Sequence, residues 1–154
     1  AIYCGCPLSN IKKRLKFIDL PERRLAISNS LRGSLLIDDS YNSNPASLKN
    51  AVDSLEGLER KKVCILGDMK ELGSDSQKIH QEMYEYISER VDQIFCIGDE
   101  WSTCSPNEKK DLSIFENQDD LYSHLISIID KKTILLVKGS RSTRMDLLAD
   151  KLKE

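Results

Sequence analysis

Long apolar runs are missing from this sequence: nothing approaches the ~20 residues that a helical membrane span requires, and no secretory leader is recognisable. The expectation is a soluble, cytoplasmic protein without membrane insertion. A dominant charge is lacking as well, because the formal net charge of −2 gives no reason to expect nucleic acid as a partner. Cysteine pairing is not indicated either. The five cysteines are odd in number and form no C-x-x-C, and Cys64 and Cys96 fall inside apolar runs, which suits buried thiols of a reducing compartment better than disulfides or zinc. His80 and His124 have no companions at ligand spacing, so no metal site is expected. Neither glycine-rich phosphate cradle, G-x-x-x-x-G-K-[ST] or G-x-G-x-x-G, occurs. A nucleotide's phosphates therefore cannot be held here in the usual way. No Ser or Cys sits on an elbow with a His to activate it, so nucleophilic catalysis is not indicated. Repeats and low-complexity tracts are also absent, and 154 residues suit one ordinary domain with a small appendage.

What is present is a regular alternation of short apolar runs and amphipathic stretches. Leu25-Ala26-Ile27 and residues 34–37 read as two strands close enough to form a hairpin around Arg32-Gly33. Asn44 is a good N-cap and Pro45 suits the first helical position; Leu48, Ala51, Val52, Leu55 and Leu58 then recur at helical spacing. Strands follow at 63–66, 94–97, 113–115 and 134–137. Helices are expected over 76–90, around Leu121 to Ile129 and from Met145 to Leu152, with a weaker region through 101–110. Strands alternating with helices in this way imply βαβ units, hence an α/β domain with a mostly parallel sheet. Met69 and Met83 are read as packing residues, and His80 as a residue with an ordinary surface or packing role.

The N-terminal end differs in character. It begins Ala1-Ile2-Tyr3-Cys4-Gly5-Cys6 without Met, as if cut from something longer, and residues 7–17 read as a short helix carrying Leu8, Ile11 and Leu15. Asp19-Leu20-Pro21-Glu22 looks like a hinge. Seven Lys and Arg (Lys12, Lys13, Arg14, Lys16, Arg23, Arg24 and Arg32) face only Asp19 and Glu22 within residues 1–37, a basic segment in an otherwise acidic chain.

Polar groups collect at the carboxyl ends of the strands: Asp38-Asp39, Gly67-Asp68, Gly98-Asp99 and Lys138-Gly139-Ser140. Parallel strands bring those ends to a single edge, which is where open α/β sheets bind ligands. Turns need the glycines, but they do not need several acids and a Lys. Two readings remain open on the residues alone. In one, the domain is a receiver-like signalling module whose Asp38, Asp39, Asp68 and Lys138 assemble a phosphoacceptor site. In the other, it is the substrate-closing lobe of a larger ATP-using enzyme.

Three stretches are more specific. Asp38-Asp39-Ser40-Tyr41-Asn42-Ser43-Asn44-Pro45, Leu66-Gly67-Asp68-Met69-Lys70-Glu71-Leu72-Gly73 and Val137-Lys138-Gly139-Ser140-Arg141-Ser142-Thr143-Arg144-Met145 occur in that order. Together they resemble the C-terminal domain of the MurF family, the Mur ligases of peptidoglycan synthesis that join D-alanyl-D-alanine to UDP-N-acetylmuramoyl-tripeptide. The resemblance covers nearly the whole chain. It implies a Rossmann-like three-layer domain over 22–154, preceded in 1–21 by the end of a central ATPase domain and a linker.

The resemblance also implies ATP and magnesium as cofactors, both held mainly by the central domain. The partners it implies are the N-terminal and central domains of the same polypeptide, D-alanyl-D-alanine and the UDP-linked tripeptide. By position, Arg24, Asp39 and Asn42 would contact nucleotide. Tyr41, Asn44, Lys138, Ser140 and Arg141 would face substrate, and no catalytic residue is assigned. An Arg fork suits carboxylate or phosphate oxygens, while Lys acts as a point charge. One departure bears on this assignment: the Gly that often precedes the opening Arg of the family is replaced in Glu22-Arg23-Arg24, so Arg23 is an alternative counterpart to Arg24.

Overall fold

In the computed structural model, residues 5, 7–15, 22–106 and 112–154 are described, the side chains of Arg14 and Leu15 excepted. A short helix α1 (Leu8–Leu15) comes first. Asp19, Leu20 and Pro21 of the expected hinge and residues 16–17 of the expected helix lie outside the described residues, as do Cys4 and Cys6. Six strands then form one sheet: β1 (Ala26–Asn29), β2 (Leu35–Asp39), β3 (Lys61–Gly67), β4 (Gln93–Ile97), β5 (Leu112–Phe115) and β6 (Thr133–Lys138). Their order across the sheet is β1-β2-β6-β3-β4-β5. Only the β1–β2 pair is antiparallel, and it is the hairpin expected around Arg32-Gly33; every other neighbour is parallel.

Side-chain alternation along the strands divides the core into two layers. On one side Ile37, Cys64, Leu66, Ile94, Cys96 and Leu136 meet helices α2 (Pro45–Asp53), α3 (Ser76–Ser88) and α4 (Asp99–Ser102). On the other, Leu36, Val63, Ile65, Phe95, Leu135 and Val137 meet α5 (Gln118–Ile128) and α6 (Met145–Leu152). The central strand β6 is buried at every position, as a strand covered on both faces must be. This is the mostly parallel α/β domain that the pattern implies, in the three layers that the resemblance implies. Burial pushes the Cys64 thiol up to about 12 and that of Cys104 to about 11, so both are inert packing groups at neutral pH.

One helix is shorter than its periodicity suggests. Asn44 caps α2 as expected: its side chain accepts from the Ser47 amide at 2.8 Å, the Ser47 hydroxyl accepts from the Asn44 amide at 3.1 Å, and Pro45 opens the helix. The helix ends at Asp53, however, because the chain turns and reverses through Gly57 at φ 74°. Leu55 is still buried from that turn, whereas Leu58 is exposed. Spacing alone does not separate a helical turn from a compact loop that buries the same residue.

Candidate ligand-binding rim

The two aspartates at the end of β2 part company. Alternation sends Asp38 toward α6, where its carboxylate accepts from the Ser40 amide and hydroxyl (3.1 and 2.5 Å) and from Lys153 Nζ at 3.0 Å. The Arg23 guanidinium stands 3.9 Å from the same carboxylate and donates to the Asp146 carbonyl at 3.0 Å and to Asp150 at 2.8 Å. That bond raises the pKa of Arg23 and lowers that of Asp150. Arg23 also adopts φ 61°, a left-handed conformation that glycine takes without cost. It therefore fastens the start of the domain to α6, and it also borders a cleft of about 670 Å³ with Glu22, Arg24, Tyr41 and Arg141. Its neighbour Arg24 turns the other way and lies over the Tyr41 ring, 4.4 Å from the centroid.

Asp39 points to the α2 side. Parallel register sets it beside Lys138, and the two form a buried ion pair, with Lys138 only 2% exposed. Each partner has a second bond. The Lys138 ammonium donates to the Asn42 carbonyl at 2.9 Å, and the other Asp39 oxygen accepts from the Leu25 amide at 3.0 Å. Leu25 sits at φ 51°, a strained position for a branched side chain that this bond holds in place.

The three sequence stretches meet at Ser140. Its hydroxyl accepts from the Lys70 amide at 2.8 Å and donates to the Ser43 carbonyl at 3.4 Å, and its own amide donates to the Asp68 carbonyl at 3.0 Å. Ser140 is buried, so its hydroxyl ties loops together. Asp68 is buried too, paired with Lys70 Nζ at 2.8 Å and bonded to the Trp101 amide at 3.4 Å. Behind this loop stands His80, to which sequence reasoning gives only an ordinary surface or packing role. The Ser76 carbonyl, 2.8 Å from Nδ1, can only accept, so Nδ1 carries the proton and Nε2 accepts from the Met69 amide at 3.1 Å. The ring is fully buried, edge-on to Trp101 with centroids 4.7 Å apart. His80→Leu should therefore cost about 1–3 kcal/mol, the price of a buried amide left without an acceptor. Urea unfolding of the variant checks this; a shift below about 0.5 kcal/mol would mean that the Met69 amide needs no partner.

On the outer side of these bonds the rim opens into adjoining clefts. One, of about 530 Å³, is lined by Arg24, Asp39, Tyr41, Asn42, Asn44 and Lys138 among others. A second, of about 470 Å³, lies across Asn42 and Asn44 from the first and is walled by Lys70, Glu71, Ser140 and Arg141. Tyr41 is 42% exposed and forms a shelf between Arg24 and Arg141, whose guanidinium is 5.5 Å from its centroid. All eight residues picked from the sequence thus gather on one edge. They divide by access: Arg24, Tyr41, Asn42, Asn44 and Arg141 are exposed, while Asp39, Lys138 and Ser140 are spent on internal bonds. A cavity of about 550 Å³ near Val52, Tyr86 and Arg90 shares no residue with this rim.

The receiver-like arrangement does not form. Asp38 serves Ser40 and Lys153, Asp39 serves Lys138, and Asp68 serves Lys70, so the three carboxylates diverge. Among the described residues no three His, Cys, Asp or Glu side chains come together in a way that could hold a metal ion.

Residues 23–141 match the family model described as Mur ligase, glutamate ligase domain. The chain belongs to the Mur ligase family. It is 32% identical over 161 residues to the UDP-N-acetylmuramoyl-tripeptide–D-alanyl-D-alanine ligase of Haemophilus influenzae, covering all of this chain and 35% of that protein. A crystal structure of MurF from Acinetobacter baumannii superposes with a TM-score of 0.81 at 31% identity, over 98% of this chain and 34% of that one. MurF ligase from Thermotoga maritima, solved in complex with ADP, shares the fold at a TM-score of 0.77 and 24% identity, over 87% of this chain and 31% of its own. The Mur ligase domain described here thus spans about a third of the length of the curated relatives it matches. Among its described residues no helix is long and apolar enough to cross a membrane.

Proposed function

We propose that this chain is the C-terminal, closing lobe of an ATP-dependent ligase that adds D-alanyl-D-alanine to UDP-N-acetylmuramoyl-tripeptide in peptidoglycan synthesis. In this reading residues 22–154 form the lobe, and 1–21 are the end of the central domain with its linker. The observation that carries it is the knot at Ser140, which brings the three MurF-like stretches onto one rim beneath a pair of exposed arginines. The rim suits a nucleotide: the 530 Å³ cleft offers an exposed aromatic shelf, a guanidinium and amide side chains, and no phosphate cradle. Arg24, Tyr41 and Asn42 would hold it. Magnesium, in this reading, would be held mainly by the central domain.

ATP, when bound, supplies the phosphoryl group that activates the terminal carboxylate of the tripeptide. The residues of this lobe supply position and charge. Arg24 and Arg141 offset the negative charge of two anionic reactants brought together, and a planar fork matches carboxylate and phosphate oxygens. Asp39 and Lys138 hold the Asn42 carbonyl and the Leu25 amide, so the exposed groups are already oriented. Closure of the lobe would exclude water from the activated carboxylate, which hydrolysis would otherwise consume.

The test uses the full-length native gene product. Phosphate release from ATP in the presence of UDP-muramoyl-tripeptide is expected to depend on added D-alanyl-D-alanine, and release indifferent to the dipeptide would overturn the assignment. Residues 1–154 alone should bind ATP weakly or not at all by calorimetry, because they lack a P-loop.

A further inference from the structure

Arg24 is exposed at the nucleotide-sized cleft and stands between two residues in left-handed backbone, Arg23 at φ 61° and Leu25 at φ 51°. Non-glycine residues keep that conformation where their surroundings impose it. On one side the imposing group is Asp39, whose carboxylate accepts from the Leu25 amide at 3.0 Å. On the other it is α6, reached through the Arg23 side chain. That guanidinium donates to Asp150 at 2.8 Å and to the Asp146 carbonyl at 3.0 Å, and it lies 3.9 Å from the Asp38 carboxylate. The Arg23 carbonyl in turn accepts from the Tyr41 amide at 3.1 Å. Arg23 thus joins α6 to the backbone of Arg24 and to that of the aromatic shelf beneath it, whose ring centroid is 4.4 Å from the Arg24 guanidinium. The turn itself does not need an arginine, because glycine adopts φ 61° without cost. What the guanidinium adds is a fixed link between α6 and the rim.

From this juxtaposition we infer that Arg23 is a positioning residue for the nucleotide: by gripping α6 through Asp150 and the Asp146 carbonyl, it sets where Arg24 and Tyr41 stand, so that both meet the nucleotide without rearranging. The inference rests on the reading of Arg24, Tyr41 and Asn42 as nucleotide contacts, and adds to them a residue that acts through its neighbours. It also gives the adjacent arginines separate tasks, where the sequence offers them as alternatives for one. Preorganisation of this kind strengthens binding because the ordering is complete before the ligand arrives. Its loss is therefore read in KM for ATP and not in kcat.

The experiment follows D-alanyl-D-alanine-dependent phosphate release by the full-length enzyme over a range of ATP concentrations. Arg23→Asn removes the guanidinium but tolerates left-handed backbone, and it should raise KM for ATP about tenfold with kcat within about twofold. Arg23→Lys, which keeps the charge, should stay within about threefold of the wild type. Asp150 lines none of the rim clefts, and Asp150→Ala leaves residue 23 unaltered. That variant should raise KM about threefold, the scale of a partly exposed ion pair. The double variant should be no worse than Arg23→Asn alone, because both substitutions cut the same link. A purely structural defect lowers the amount of active enzyme, hence kcat, and leaves KM unmoved. Arg24→Met serves as the reference and should raise KM for ATP as well. A wild-type KM in Arg23→Asn beside a raised one in Arg24→Met would overturn the inference alone. A wild-type KM in Asp150→Ala beside an impaired Arg23→Asn would overturn it too, since Arg23 would then touch the nucleotide directly from the 670 Å³ cleft. An unchanged KM in Arg24→Met would remove the nucleotide contact and the inference with it, and wild-type release indifferent to the dipeptide would remove the ligase reading.

Discussion

Lys138→Met is expected to destabilise residues 1–154 by about 3–5 kcal/mol, the range found when one partner of a buried ion pair is removed and the other is left behind. A domain of this size has a total stability of roughly 5–15 kcal/mol, so the loss is a large fraction of the whole. The size follows from what Lys138 touches. Its removal leaves Asp39 charged at 8% exposure, frees the Asn42 carbonyl, and withdraws support from the carboxylate that holds the Leu25 amide. Asp39→Ala should act in the same direction, since it strands the Lys138 ammonium. The sequence alone leads to the expectation that Asp39→Ala in the full-length enzyme impairs nucleotide use and leaves the domain folded; register and burial add an expected loss of stability. The double variant Asp39→Ala/Lys138→Met should recover part of the loss, giving a coupling energy of about 1–3 kcal/mol in a double-mutant cycle. Urea midpoints at fixed slope measure all three. A Lys138→Met shift under about 1 kcal/mol would place the pair in the class of solvent-screened surface bridges and would return Lys138 to the list of residues free to meet a ligand.

The sheet and its rim were legible in the sequence because their signals are local. Apolar runs such as Ile134 to Val137 mark strands covered on both faces, and the residues just after such runs mark the ligand edge. The capped start of α2 is equally local, carried by Asn44, Pro45 and Ser47. What the sequence did not yield depends on register and on which face a side chain takes. Asp38 and Asp39 look like one acidic pair, yet one residue of offset places the first against α6 and the second against Lys138. Arg23 and Arg24 split for a similar reason: the left-handed turn at Arg23 sends its guanidinium to Asp150 and leaves Arg24 to cover Tyr41. His80 carries no signal of its function, because its partner is a backbone amide contributed by Met69 eleven residues earlier. Lys70 belongs to the second of the three stretches, but its bond to Ser140 emerges only once β3 and β6 lie side by side.

Gly139→Ala should prove about as damaging as loss of the ion pair, at about 3 kcal/mol or more, and for a purely steric reason. Gly67 ends β3 and Gly139 follows directly after the neighbouring strand β6, and the turn through Thr143 into α6 closes directly onto both. A Cβ on Gly139 would lie 2.6 Å from Thr143 Oγ1, 2.7 Å from Met145 Cγ and 3.0 Å from Gly67 Cα. None of the three can yield cheaply: the Thr143 hydroxyl is bonded to the Ser140 carbonyl at 2.6 Å, Met145 is fully buried, and the third atom is backbone. Overpacking of this kind typically costs about 1–3 kcal/mol and more where backbone must move. The displaced segment also carries Ser140 and Arg141, so in the full-length enzyme the variant should lose activity along with stability. Two companions separate the causes. Thr143→Ala in the Gly139→Ala background removes the nearest clash and should return about 1 kcal/mol. Gly57→Ala has a positive φ of 74° but nothing within 4 Å of the added methyl, so it should cost only about 1 kcal/mol of backbone strain. If Gly139→Ala and Gly57→Ala shifted the urea midpoint equally, the strand ends would be looser than their contacts imply, and the positions of Ser140 and Arg141 on the rim would not depend on that close approach.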